Sequence, residues 1–172
     1  MINNANYISS HENNIKIVAS LILDAVDNGG TVFTCGNGGS AATAAHFTCE
    51  LMVKMEKIRR PIASVCLNAD VITMTAIGND FGFDKVFSRQ IEGLMCNKDL
   101  LICFSTSGES KNIIEALELA KASAFYTILF TGNRDSIADI TIRVESTNVQ
   151  FIQEAHDVLM HKIVEQIEER IN

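Results

Sequence analysis

The fold is decided by a stretch of ten residues that reads Thr31-Val32-Phe33-Thr34-Cys35-Gly36-Asn37-Gly38-Gly39-Ser40. Its first half is short, β-branched and aromatic, which predicts a β-strand over 31–35. Its second half, the glycine loop at 36–40, holds three glycines, which let a backbone turn tightly and approach a ligand closely. A helix is expected from about residue 41 to 54. Taken alone, the glycine loop fits a plain strand-to-helix turn as well as a loop that binds an anion or a sugar oxygen.

The same order of strand, loop and helix recurs along the chain. Predicted strands cover 62–67, 100–104, 127–130 and 140–144, and predicted helices cover 9–27, 113–121 and 149–171. The strands are continuous apolar runs, which is typical of a sheet buried on both faces. Repeated βαβ units give a parallel sheet. We therefore expect an α/β fold in which one domain over 1–172 holds a five-stranded parallel sheet flanked by helices, with long N- and C-terminal helices.

Composition and charge exclude several classes of protein. Of the 172 residues, 47% are hydrophobic and 20% are charged, which argues against disorder. The net charge of −7, without a basic cluster, argues against nucleic acid and anionic membranes as partners. No apolar run is long enough to span a membrane, and the polar N-terminus lacks a signal-peptide core. Five cysteines without a Cys-x-x-Cys pair favour reduced thiols, so a cytoplasmic protein is expected.

A serine loop, Ser105-Thr106-Ser107-Gly108-Glu109-Ser110, follows the third predicted strand and precedes a helix. One hydroxyl, from Ser107 or Ser110, is enough to cap that helix. The surplus of hydroxyls favours a phosphate site, because phosphate oxygens accept hydrogen bonds from hydroxyls and from free amides at a helix start. Open α/β sheets bind ligands at the carboxyl ends of their strands, where both loops lie. An ordinary cap with solvated hydroxyls is the alternative.

Two predicted helices carry side chains suited to metal binding or acid–base chemistry. His46 and Glu50 are four residues apart and therefore share one helix face. The last helix carries Gln153, Glu154, His156, Asp157 and His161. Spacing alone does not choose the partner of His161. Two histidines and a carboxylate can bind a zinc-like divalent ion, or they can act as general base and acid without metal. Solvated polar helix faces are the alternative unless the two helices meet.

A further motif reads Gly78-Asn79-Asp80-Phe81-Gly82-Phe83. Asn, Asp and Gly together favour a turn. We expect a bare turn here, with Phe81 and Phe83 anchored in the core.

Taken together, these motifs resemble the sugar isomerase (SIS) domain, and specifically the sedoheptulose-7-phosphate isomerases, also called phosphoheptose isomerases. The resemblance covers nearly the whole chain in order. The segments that carry it are 35–40, His46-Phe47, Glu50-Leu51, 78–83, 105–108 with Ser110, Gln153-Glu154, His156 and His161. The serine loop is shared by all sugar-phosphate-binding SIS domains, whereas the combination of His46, Glu50, Gln153 and His161 is more specific.

The resemblance implies an activity and an assembly. Such enzymes are homotetramers with active sites between subunits. They convert sedoheptulose 7-phosphate to D-glycero-D-manno-heptose 7-phosphate, the first step toward activated heptose for surface polysaccharide such as lipopolysaccharide or capsule.

The resemblance also implies site residues. Zinc would be bound by His46, Glu50, Gln153 and His161. Substrate would be bound by Asn37, Gly38, Gly39, Ser40, Glu50, Asn79, Asp80, Ser105, Thr106, Ser107, Ser110 and Gln153. Among these, the four hydroxyl residues of the serine loop would hold the phosphate.

The chemistry of ketose-to-aldose isomerisation assigns two catalytic roles. The reaction moves a proton between adjacent carbons through an enediol, so it needs a base for the carbon acid and an acid for the carbonyl oxygen. We assign Glu50 as the base and His161 as the acid. By resemblance both residues are also zinc ligands.

Three positions depart from the family pattern. The family usually has Asp at the position of Thr43, Arg at that of Lys54 and often Asp at that of Gln150. These changes bear on how the far hydroxyls of the sugar are held.

Two other functions compete with this isomerase. One is a non-catalytic SIS protein that binds a sugar phosphate or a replication-initiator partner; such relatives lack the Glu and the final His that this chain keeps as Glu50 and His161. The other is an isomerase of a different sugar phosphate.

Overall fold

The computed structural model describes the backbone of residues 4–171 and side chains from residue 7 onward. The helices are α1 (Asn4–Asp27), α2 (Gly39–Met52), α3 (Val71–Asp80), α4 (Ser88–Leu94), α5 (Lys111–Ala122) and α6 (Val149–Glu168), with a 3₁₀ turn at Phe83–Lys85. The strands are β1 (Val32–Gly36), β2 (Ser64–Cys66), β3 (Leu100–Ser105), β4 (Tyr126–Thr131) and β5 (Ile140–Arg143). Within 4–171 no helix has the length and apolar content needed to cross a bilayer.

The five strands form one parallel sheet in the order β2-β1-β3-β4-β5. After β1 the chain adds β2 at one edge of the sheet, and after β3 it adds β4 and then β5 at the other edge. The topological switch point therefore lies between β1 and β3, and the glycine loop and the serine loop leave the sheet on its two sides. The α/β fold with a five-stranded parallel sheet is confirmed.

Each face of the sheet has its own hydrophobic core. On one face, α1, α2 and α6 pack around the fully buried rings of Phe47, Phe104 and Phe130. On the other face, α3, α4 and α5 pack around residues such as Phe33 and Phe87. Burial of one such side chain contributes about 1.5–3 kcal/mol. Because α2 and α6 lie side by side on the same face, the two helices that carry the candidate residues meet.

The segment from Val71 to Leu94 differs from the sequence prediction. Residues 78–80 end helix α3 rather than forming a bare turn. Phe81 and Phe83 are 57% and 58% exposed, so the predicted anchoring in the core is wrong. The helix starts because Asp70 accepts hydrogen bonds from the backbone N–H groups at its N-terminus. Only Ile77 is buried within α3, so this helix lacks the buried apolar face whose repeat along a sequence predicts a helix.

Candidate active site

The glycine loop is a tight turn that depends on glycine. A Cβ at Gly36 would lie 2.5 Å from the backbone of Ser40, and Gly38 has a φ of +55°. Asn68 holds the base of the turn, because its side chain accepts from the N–H of Gly36 at 3.1 Å and donates to its carbonyl oxygen at 2.9 Å. The loop therefore presents the N-terminus of α2 at the switch point.

A pair of asparagines joins the two loops. The side-chain amides of Asn37 and Asn112 donate to each other at 2.8 and 2.9 Å. Asn112 is buried in the first turn of α5. The glycine loop and the start of α5 are thus held in a fixed relation.

Among the described side chains, the hydroxyls of the serine loop make hydrogen bonds only within the loop, where that of Ser105 reaches that of Ser110 at 3.5 Å. Ser110 occupies the N-cap position of α5, yet its side chain makes no capping hydrogen bond. The first-turn amides of a helix have no partner within the helix. Gly108, at φ +67°, folds the loop back so that its N–H reaches Ser105, and Ser107 accepts from the N–H of Glu109. Hydroxyls and amides therefore converge at one helix N-terminus, as a phosphate site requires.

Three titratable side chains meet where α2 and α6 pack together, and we call them the His/Glu cluster. Nε2 of His46 lies 3.3 Å from Oε1 of Glu50, and the rings of His46 and His161 have centroids 5.0 Å apart. One ligand atom from each of the three residues lies within 4.8 Å of the other two. The helices that carry these residues do meet, so the alternative of separate solvated faces is excluded.

The His/Glu cluster fits a divalent cation. Oε2 of Glu50 is buried and has no hydrogen-bond partner among the described side chains. Such an atom normally has a partner, and a ligand that the chain itself does not supply is one explanation. Two imidazoles and a carboxylate form a donor set that suits zinc.

Three other polar residues of α6, Gln153, Glu154 and Asp157, make contacts outside the His/Glu cluster. A Cβ at Gly39 would lie 2.3 Å from Nε2 of Gln153, so the Gln153 amide lies against the start of α2. Gln153 lies eight residues before His161, which is about 12 Å along the helix axis. Asp157 accepts a 2.7 Å bond from the Thr43 hydroxyl, and Glu154 accepts from Gln150.

His156 lies outside the cluster. Its ring is fully buried against Phe104 and Phe130 and contacts the carbonyl oxygen of Thr131 at 3.3 Å. Burial lowers the pKa of His156 to about 4, so the ring is neutral at pH 7. It serves the packing beneath the serine loop.

Asn79 and Asp80 lie at the exposed end of α3, where they hydrogen-bond to each other at 2.8 Å. Helix α3 packs chiefly against the 3₁₀ turn. Within one chain, the fold does not bring these two residues to the His/Glu cluster.

Comparison with known proteins gives the family to which this chain is similar. The family model for the SIS domain matches residues 4–132. A phosphoheptose isomerase of Campylobacter concisus is 39% identical over 168 residues, covering 94% of this chain and 89% of the relative. A probable phosphoheptose isomerase of Thermoplasma acidophilum is 41% identical over 157 residues, covering 89% and 86%.

Solved structures give the same result. The phosphoheptose isomerase of Francisella tularensis superposes with a TM-score of 0.86 at 36% identity, covering 91% of this chain and 85% of that one. The enzyme of Neisseria gonorrhoeae gives 0.84 at 34% identity, covering 96% and 93%. This chain belongs to the phosphoheptose isomerase family of SIS-domain proteins.

In this member of the phosphoheptose isomerases, sequence reasoning missed two residues that build the site. Asn68 and Asn112 are not among the residues predicted to bind substrate or metal. They hold the loops that carry those residues, because Asn68 bonds Gly36 and Asn112 bonds Asn37. Their only signal was a polar amide directly after a strand or in the first turn of a helix. The pairing of Asn37 with Asn112 joins residues 75 apart, a separation that local patterns do not report.

Proposed function

We propose that this chain isomerises sedoheptulose 7-phosphate to D-glycero-D-manno-heptose 7-phosphate, the first step toward activated heptose for surface polysaccharide. The observation that carries this proposal is the approach of Glu50 and His161 from two helices, one of which begins at the switch point of the sheet. Relatives named phosphoheptose isomerase at about 40% identity support the substrate. We treat 1–172 as one SIS domain, because α6 lies beyond the family match at residue 132 yet supplies His161 and packs on α1 and α2.

Substrate binding divides between the two loops. The phosphate takes the hydroxyls of Ser105, Thr106, Ser107 and Ser110 together with the free first-turn amides of α5. The sugar would extend from the glycine loop, at residues 37–40, past the Gln153 amide and toward the His/Glu cluster. The Ser110 hydroxyl, which makes no capping bond to α5, and the Asn37–Asn112 pair support this division.

Glu50 and His161 together account for every proton that the isomerisation moves. Oε2 of Glu50 takes a proton from C1 of the ketose, and His161 gives a proton to the carbonyl oxygen at C2, which forms the enediol. Glu50 then returns its proton to C2 while His161 takes the proton of the C1 hydroxyl, which leaves the aldose. The assignment to Oε2 rests on its having no partner, whereas Oε1 faces His46.

We propose zinc as the cofactor, held by His46, Glu50 and His161; Gln153 would be a further ligand only if its amide turned away from the start of α2, against which it lies. When bound, such an ion polarises a carbonyl oxygen as a Lewis acid. Support comes from the mutual approach of three ligand atoms. Equilibrium dialysis against zinc tests this directly: about one ion per site is expected, and His46→Ala should weaken binding strongly. Unchanged binding by that variant would remove the proposed site.

The assembly we propose is a homotetramer with sites between subunits, acting in the cytoplasm. Asn79 and Asp80 stand apart from the cluster within one chain, so a neighbouring subunit would have to bring them to it. Exposed apolar side chains support contacts between copies, since Ile58, Val71 and Ile72 are 91%, 68% and 81% exposed. All five thiols are free, which suits a reducing compartment.

A substrate panel tests the proposed function. Purified protein is incubated with sedoheptulose 7-phosphate and, separately, with hexose and pentose ketose phosphates, and aldose formation is followed by NMR. We expect the heptose phosphate to be turned over with the highest kcat/KM. Turnover of another sugar phosphate alone would assign a different isomerase, and no turnover by folded protein would favour the non-catalytic SIS proteins.

A further inference from the structure

A buried ion pair joins the ends of α2 and α6. The side chains of Arg59 and Glu168 are 0% and 2% exposed, and Nε of Arg59 lies 3.5 Å from Oε1 of Glu168. Arg59 belongs to the segment between α2 and β2, and Glu168 is the last residue of α6. A buried pair of this kind is weak grounds for stability, because desolvation offsets the attraction.

Arg59 contacts the turn of α2 that carries the proposed base. Its two terminal nitrogens donate to the backbone carbonyl oxygens of Glu50, at 2.5 Å, and of Leu51, at 2.9 Å. Carbonyls of a last helical turn have no partner within the helix, so the guanidinium supplies one. Burial lowers the pKa of Arg59, while the carboxylates of Glu168 and Glu50 oppose that shift. The guanidinium stays charged beside both.

Glu168 holds the chain that leaves α2. Its carboxylate accepts the backbone N–H groups of Met55, at 2.8 Å, and of Glu56 and Lys57, both at 3.0 Å. Burial alone would raise the pKa of Glu168, but these three bonds and Arg59 outweigh burial and leave it below its ordinary value. Glu168 lies seven residues after His161, about 10 Å further along the same helix.

We propose that Arg59 and Glu168 are positioning residues that fix the proposed base and the proposed acid relative to each other. One end of the pair is bonded to the backbone of Glu50, and the other belongs to the helix of His161, so the pair sets the spacing of the two helices at the site. The inference rests on the proposed function for the roles of Glu50 and His161. A misplacement of about 1 Å can lower turnover about 100-fold.

The test uses Arg59→Lys, which keeps the charge but loses the planar fork that reaches two carbonyls and a carboxylate. We expect kcat to fall about 100-fold, with KM for sedoheptulose 7-phosphate within about twofold and a melting temperature lowered by only a few degrees. Zinc affinity, measured by chelator competition without substrate, should fall about tenfold, as for residues behind a metal ligand.

Two controls match the variant. Arg60→Lys changes the adjacent arginine, whose ion pair with Asp27 is exposed, and should leave kcat and zinc affinity unchanged. Glu165→Gln changes a half-buried carboxylate that pairs with Lys162 and lies about one turn before Glu168. This variant should also leave kcat and zinc affinity unchanged.

A second variant keeps the inference open to refutation if Arg59→Lys does not fold. The double variant Arg59→Met/Glu168→Leu removes both buried charges together, and it is assayed well below its melting temperature because the backbone groups that the pair bonds lose these partners. We expect a folded protein with the same large loss of kcat and of zinc affinity. Retention of wild-type kcat and zinc affinity by either variant would show that the pair only supports the fold. Whether the wild type turns over the substrate is a separate result, and it alone decides the proposed function.

Discussion

Histidine has two different uses in this molecule, and its surroundings set each one. His46 is 46% exposed beside Glu50, where a proton or a cation can reach it. His156 is enclosed by two phenylalanine rings, and burial holds its pKa at about 4 although the Thr131 carbonyl and Asp157 favour the charged form. The segments that carry the family resemblance contain both residues, but only the packing distinguishes the buried histidine from the exposed one.

The buried histidine makes stability depend on pH. Between pH 6.5 and about 4, unfolded chains bind a proton at residue 156 that the folded protein does not. The free energy of unfolding should therefore fall as the pH is lowered through this window, by about 1.4 kcal/mol per unit from this residue. His156→Phe should flatten the dependence in urea titrations at pH 7 and 5. His11→Gln, at a less buried site, should keep the slope, and an unchanged slope in His156→Phe would contradict the assignment.

At the scale of single elements, the start of α2 is shaped by the absence of a side chain at Gly39. The amide of Gln153, on α6, occupies the space that a Cβ would take. The contact joins the glycine loop to the helix that carries His161. It gives Gly39 a role in the site that a turn alone would not require.

Gly39→Ala should push the Gln153 amide away, because the clashing atom is the far end of a flexible side chain. We expect a folded protein whose KM for substrate rises about tenfold, the equivalent of roughly 1.4 kcal/mol. The matched experiment places Gly39→Ala in a Gln153→Ala background, where it should add little. Full additivity of the two changes would show that the contact has no part in binding.

Most elements were predictable from the sequence, and the exceptions have physical causes. The strands are apolar runs between turns, and the glycine loop marks its own strand and helix. Helix α4 and helix α3 were missed, since α3 buries one side chain and is fixed by the cap at Asp70. His46 and His161 are 115 residues apart, and at the sequence level only the family resemblance predicts that they meet. The packing of α2 against α6 brings their rings together. Arg59 gives no signal, because one of two adjacent arginines in a charged loop is expected to be exposed.

At the scale of the whole molecule, the surface carries apolar side chains that a lone chain leaves in water. Val71 and Ile72 begin α3, the helix whose far end carries Asn79 and Asp80. An interface on this helix would cover the first pair and bring the second pair near another copy's site. Assembly and activity would then depend on the same helix.

Replacing Val71 and Ile72 together with serine should weaken assembly, since apolar burial contributes about 25 cal/mol per Å². Light scattering should show a mass below that of the wild type, together with a raised KM. Ile137→Ser, a change at a 43% exposed side chain in another loop, serves as the control and should leave the mass unchanged. A wild-type mass and KM in the double variant would place the interface elsewhere.

The most direct test of the central claim compares the wild type with Glu50→Gln on sedoheptulose 7-phosphate by NMR, alongside Glu118→Gln at an exposed position of α5. We expect aldose from the wild type and from Glu118→Gln. From folded Glu50→Gln we expect about a 100-fold loss of turnover with substrate binding retained, because the amide cannot take the C1 proton. Wild-type turnover by Glu50→Gln would show that Glu50 is not the base.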